Sequence, residues 1–142
     1  MQYQETVEER VAYEMARARR YGLPLTLVLF RCGGSDAVSE TLLDEVGRRV
    51  RCADIVKPMG DRLIVTLLPH TGLDGGAGFA KRMIRDLEEA GLTDPRAGLA
   101  GLGAHHQQAA DLMSEADGAL QSTSIEEPVR IHGEESVHRA KL

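Results

Sequence analysis

The sequence predicts an α/β fold, an α+β sandwich in which a mixed sheet of about five strands carries helices on its faces. Three observations carry that expectation. Leu25–Phe30 (LTLVLF) is an unbroken apolar run, as expected for a strand buried on both faces. Ile55–Val56 and Leu63–Leu68 flank Pro58-Met59-Gly60-Asp61-Arg62, and a Gly-Asp pair between such runs signals a hairpin because both residues tolerate positive φ. The intervening stretches repeat apolar residues at helical spacing. The resulting order is α-β-α-β-β-α-β-α-β, one hairpin set among crossover units.

Each element has its own signals. Thr6 to Tyr21 reads as a helix: Thr6 and Glu9 form a capping box, Val7, Val11, Met15 and Ala18 share a stripe, and Gly22 and Pro24 stop it. After the LTLVLF strand, Arg31 to Ser35 is a glycine-rich loop. Asp36 to about Cys52 is a second helix, with Val38, Leu42, Val46 and Val50 on one face. The hairpin ends at Pro69. Thr71 to Ala90 is a third helix, weak at its TGLDGGAG start, apolar at Phe79, Met83, Ile84 and Leu87, and capped by Gly91. Arg96 to Ala104 is a glycine-rich strand whose small residues imply close backbone packing. Gln107 to Leu120 is a fourth helix, with Ala109, Leu112, Met113 and Ala116 inward. Pro128 to His132 is a short edge strand, because proline cannot serve a central ladder.

Composition narrows the class. A length of 142 residues favours one domain, here residues 1–133, followed by a loose charged tail over 134–142. The net charge of −5 argues against a general nucleic-acid surface. Basic residues nevertheless crowd two places, Arg48, Arg49, Arg51, Lys57 and Arg62 in the centre and Lys81, Arg82 and Arg85 later, which suits a small anion. Cys32 and Cys52 belong to no CxxC or Cys/His pattern and are expected as small buried hydrophobes in a reducing compartment. No apolar run approaches the ~20 residues of a membrane span, and the polar start is not a signal peptide, so the expected location is cytoplasmic.

Few residues invite chemistry. Arg51-Cys52-Ala53-Asp54 is an Arg-x-x-Asp step. Fourteen arginines and nine aspartates would give about one such step by chance, and its bland reading is a local ion pair. His105-His106 suggests a metal, but adjacent histidines on a strand point to opposite faces, so a loop pair without metal is expected. Ser35, Asp36 and Ser39 have no histidine partner at suggestive spacing, and the Gly33-Gly34 loop lacks the rest of a phosphate-binding pattern.

Four stretches together resemble a GGDEF domain, the diguanylate cyclase fold, over roughly Glu5 to Gly133. MARARRYGLPLTLVLF is similar to the lead-in helix and first strand, and DIVKPMGDRLIVTLLPHT aligns without a gap onto the signature hairpin. LAGLG and SEADGAL stand where that family has Ser-Ile-Gly-Val-Ala and an Ala-Asp-x-Ala-Leu helix. The departures are informative. The Gly-Gly-Asp-Glu-Phe signature falls on Gly60-Asp61-Arg62-Leu63-Ile64, and Arg31 stands where the first strand should end in a metal-binding Asp. Arginine has no acceptor for a divalent cation. The segment that carries the guanine-reading Asn is shortened, and the lysine after the fourth helix is replaced in QSTS. The resemblance therefore implies a degenerate domain that is not an enzyme and needs no metal or other cofactor.

What the resemblance retains is the inhibitory site for the product, cyclic di-GMP. Arg51 and Asp54 occupy its Arg-x-x-Asp position, and its second arginine lands on Arg82. Arginine can donate to guanine O6 and N7 in parallel, and Asp can accept from the other guanine edge. The implied function is a cyclic di-GMP receptor in bacterial second-messenger signalling. Arg48 and Arg49 are additional contacts, and the partners are an unidentified protein or a second copy in a ligand-linked homodimer. The alternative is a ligand-independent interaction or dimerisation scaffold.

Overall fold

The computed structural model describes residues 4–33, 38–60 and 62–134. Gly34 to Ala37, Asp61 and the tail 135–142 fall outside them, as do the side chains of Val38 and Ser39. The expectations placed on Ser35, Asp36, Ser39, Asp61 and the tail therefore lie outside the described residues.

Among the described residues nine elements follow in the expected order: α1 Val7–Tyr21, β1 Leu25–Arg31, α2 Val38–Gly47, β2 Ile55–Pro58, β3 Leu63–Pro69, α3 Leu73–Glu89, β4 Arg96–Gly101, α4 Ala109–Gln121 and β5 Val129–Ile131. The strands form one mixed sheet in the order β2-β3-β1-β4-β5. β1 is antiparallel to both β3 and β4, and the edge strand β5 is parallel to β4. The α+β sandwich expected from sequence is thus the observed architecture.

β1 is buried along six residues because each face meets a helical layer. Leu25, Leu27 and Leu29 join Val11 and Met15 of α1 and Leu112 and Ala116 of α4. Val28 and Phe30 join Leu42 and Val46 of α2 and Met83, Ile84 and Leu87 of α3. Each such leucine or phenylalanine removes enough apolar surface from water to contribute about 1.5–3 kcal/mol. Phe79 meets Phe30 edge to face at 6.0 Å.

The ends of the elements show what stops them. Thr6 caps α1 with a reciprocal Thr6–Glu9 box, and Gly22 ends it. The hairpin closes with Met59 N–H donating to the Leu63 carbonyl at 2.7 Å, while Gly60 takes φ 79°, a value that favours glycine. The second helix is shorter than expected, ending at Gly47 rather than near Cys52. The cause is local. The Asp54 carboxylate takes the Arg51 N–H at 2.9 Å, and Asp54 N–H returns to the Arg51 carbonyl at 3.0 Å. That turn uses the N–H which a continuing helix would need. It also corrects the expectation for Cys52, which rides on the turn and is exposed, whereas Cys32 is buried and its thiol is pushed up to about 11 by burial and by Asp94. Both cysteines are free.

The small residues of β4 have the expected purpose. A Cβ on Gly98 would lie 2.3 Å from Leu120 N and 2.4 Å from the Ala116 carbonyl oxygen, so α4 rests its backbone on the strand. No helix among the described residues is long and apolar enough to cross a membrane. Gly98→Ala should lower unfolding stability by about 3 kcal/mol, because the obstacle is backbone that cannot swing aside. Urea denaturation measures it, and a loss under about 1 kcal/mol would contradict this packing.

Candidate functional site

The turn after α2 and the first half of α3 build one concave site. Residues 75, 79 and 82 of α3 recur at i, i+4 and i+7, so Gly75, Phe79 and Arg82 share a face. Across from them stand Arg51 and Asp54, with Arg49 and Thr71 beside them and Leu68 beneath. The cavity measures about 270 Å³. The sequence placed Arg51, Asp54 and Arg82 in one site, and the fold brings all three to the lining of one cavity.

The geometry is specific. Arg51 Nη2 donates to Thr71 Oγ1 at 2.7 Å and to Asp54 Oδ1 at 3.2 Å, and Arg51 Nε reaches Asp54 Oδ2 at 3.4 Å. The Asp54 side chain is 1% exposed and that of Arg51 is 63% exposed. Asp54, expected to meet a ligand edge, lines the cavity and accepts from Arg51. Arg51 Nη1 has no partner among the described residues. The Arg82 side chain folds back along α3, where a Cβ on Gly78 would lie 3.4 Å from its Nη1. Gly75 lines the cavity, and a Cβ there would press on Thr71 Cγ2 at 3.1 Å.

Arg49 and Arg48 have different situations. Arg49 lines the cavity, held by Glu45 Oε2 at 2.6 Å and by Asp86 Oδ2 at 3.4 Å. Arg48 pairs with Glu45 outside the lining. The hydrogen bond from Arg49, with the charges of both arginines, holds the Glu45 carboxyl below its ordinary value. Thr71 and Phe79 were missed by sequence reasoning. The i, i+4, i+7 spacing of Gly75, Phe79 and Arg82 was the available signal for the latter.

A cavity of about 320 Å³ between α3 and β5 is lined by Lys81, Arg130, Glu126, Glu127 and Glu134 among others. Its carboxylates outnumber its cations, so it suits an anion poorly. At the opposite end of β1, Arg31 pairs in register with Leu63 and with Arg96. Arg96 is tied to Asp94 at 3.1 Å.

The histidines form the expected loop pair after β4, but their rings do not point apart. His105 and His106 lie beyond the end of β4, so strand alternation does not separate them. Their rings sit 3.9 Å apart at 40° and both reach Glu115 of α4. His105 Nε2 is 2.8 Å from Oε2 and His106 Nε2 is 2.7 Å from Oε1. Burial works to raise the Glu115 pKa, but these hydrogen bonds outweigh it and hold it below the ordinary value.

Asp54→Ala should cost about 1–3 kcal/mol of stability, because three Arg51 donors lose their acceptor. Cys52→Ser in the same turn, with its exposed side chain, should change stability by under about 0.5 kcal/mol. Urea unfolding of the two variants compares them, and equal stabilities would contradict the anchoring role of Asp54.

No family model and no curated protein matches the sequence. Solved structures do resemble the fold. The active GGEEF domain of a diguanylate cyclase from Vibrio cholerae aligns with TM-score 0.80 and 16% identity, over 91% of this chain and 96% of that one. The GGDEF domain of DgcB from Caulobacter crescentus in complex with c-di-GMP aligns with TM-score 0.76 and 12% identity, over 89% and 86% of the two chains. The diguanylate cyclase SiaD from Pseudomonas aeruginosa, in complex with its activator SiaC, aligns with TM-score 0.70 and 19% identity, over 88% of this chain and 56% of that one. At these identities the likeness establishes the fold.

Proposed function

Because this chain folds as a GGDEF domain, we propose that it is a catalytically inactive one that receives cyclic di-GMP at the Arg51–Asp54–Arg82 cavity. The observation that carries the reading is one cavity lined by the three arginines Arg49, Arg51 and Arg82 together with the apolar Leu68 and Phe79. Guanidinium groups donate to a guanine edge, stack on its face and neutralise phosphate. Asp54 positions Arg51. At 270 Å³ the cavity sits just below the ~300–1,000 Å³ of small-molecule clefts, so it houses a base and leaves the phosphates outside. A second ligand molecule or a second domain then covers the exposed part. That a structural neighbour, DgcB, is described in complex with c-di-GMP supports the choice of ligand.

The inactive reading rests on Arg31, Arg62 and Leu63 at the hairpin end. A guanidinium at the end of β1, in register with Leu63 and Arg96, repels the divalent cation that phosphoryl transfer from a nucleotide requires. A second reading, a ligand-independent interaction scaffold, is favoured by the closure of Arg51 onto Asp54 and Thr71, which leaves Asp54 satisfied without ligand.

Calorimetry with cyclic di-GMP separates the two. The receptor reading expects binding in the micromolar range, with about two stacked ligands per site and a rise in dimer population on light scattering. Arg51→Ala and Arg82→Ala should each weaken it at least about tenfold, and raised salt should weaken it further. No heat at micromolar concentrations, with protein-partner capture indifferent to the nucleotide, would establish the scaffold instead. Formation of cyclic di-GMP from GTP and Mg²⁺ would contradict the inactive reading.

A further inference from the structure

We propose that the loop between β4 and α4 carries a site for a borderline divalent cation of the Zn²⁺ type, formed by His105 Nε2, Glu115 Oε2 and His132 Nε2. Three imidazoles converge on one carboxylate: His105 and His106 at 2.8 and 2.7 Å, and His132 Nε2 at 3.5 Å from Oε2. Ligand atoms of His105, His106 and Glu115 all lie within 4.8 Å of one another, and His132, outside that group, reaches Glu115 Oε2 and completes the set by turning its half-exposed side chain inward. Imidazole and carboxylate together suit Zn²⁺, Cu²⁺ or Ni²⁺ and not the all-oxygen cations Mg²⁺ and Ca²⁺.

The hydrogen bonds sort the three rings into two roles. His106 is buried, and its Nδ1 accepts from Gly103 N–H at 2.9 Å. A neutral ring with Nδ1 accepting carries its proton on Nε2, so His106 donates to Glu115 Oε1. A metal at that Nε2 would need the proton on Nδ1, facing the Gly103 N–H. His106 therefore is a positioning residue: it fixes the carboxylate and leaves Oε2 outward, the role that outer partners play around metal ligands. His105 and His132 meet at Oε2, and their side chains are 66% and 50% exposed. Ligands of tetrahedral Zn²⁺ stand about 3.3 Å apart for bonds of about 2.0 Å. The two Nε2–Oε2 distances, 2.8 and 3.5 Å, bracket that value.

The scaffold is firm. Arg19 of α1 donates to the Gly103 carbonyl at 3.0 Å and to the His106 carbonyl, pinning the loop. His132 N–H donates to the Leu99 carbonyl at 2.8 Å, fixing the end of β5. Asp111, at the start of α4, takes the N–H groups of Gln107 and Gln108 at 2.9 Å. A cation here joins a loop, a helix and the edge strand, so it braces the β5 side of the sheet.

The test uses the full chain and ZnCl₂. Calorimetry should show one equivalent per chain with micromolar or tighter affinity, and no binding of Mg²⁺ at about millimolar concentration. Co²⁺ should give the visible absorption of a four-coordinate ion with nitrogen and oxygen ligands. His105→Ala, His132→Ala and Glu115→Gln should each weaken Zn²⁺ at least about tenfold, while His70→Ala leaves it unchanged. The two exposed histidine variants keep the fold, so a loss of binding in them reads the site itself. Absence of Zn²⁺ binding, or binding indifferent to His105→Ala and His132→Ala, would overturn the proposal.

Discussion

The burial of β1 on both faces is the constraint on which the structure depends. A strand with Leu25, Leu27 and Leu29 on one side and Val28 and Phe30 on the other needs a helical layer on each side and a strand at each edge. Those requirements fix α1 and α4 on one face and α2 and α3 on the other. They also decide what gathers at each end of the sheet. β1 begins beside Pro69 and Gly101, so the Thr71 turn and the β4–α4 loop emerge at that end. It finishes beside Leu63 and Arg96, where the hairpin turns.

The cavity hangs from this strand through a short chain of hydrogen bonds. The buried Thr26 hydroxyl donates to the Thr71 carbonyl at 2.8 Å, and Thr71 Oγ1 accepts from Arg51 at 2.7 Å. Arg51 is in turn seated on the enclosed Asp54. A pair between an exposed guanidinium and an enclosed carboxylate contributes less through Coulomb energy, which water screens, than through the geometry that its hydrogen bonds impose. The local ion pair and the proposed ligand site, opposing readings of one Arg-x-x-Asp step, are thus compatible: the pair holds the guanidinium that the proposed ligand would meet.

Much of this was legible in the sequence, because period and punctuation are local signals. LTLVLF marked the central strand, Thr6 and Glu9 the first helix start, and Gly60 the hairpin. The end of α2 was not legible, because Asp54 competes for the Arg51 N–H through a side-chain bond that helical periodicity cannot register. Cys52 was misplaced for the same reason. The histidine cluster was illegible for a different one. Strand alternation was applied to His105 and His106 one turn beyond the strand, and Glu115 and His132 join them only through the packing of α4 and β5. Thr71 sits in the Arg51 site by the same kind of long-range contact.

The central claim is that ligand recognition belongs to the Arg51 cavity and has left the hairpin. Amide chemical-shift mapping of the isotope-labelled chain with cyclic di-GMP tests it most directly. The account predicts shifts concentrated at Arg51, Thr71, Gly75, Gly78 and Arg82, with Arg31, Gly60 and Leu63 unmoved. Shifts concentrated at Arg31, Gly60 and Leu63, with the Arg51 cavity unmoved, would contradict it.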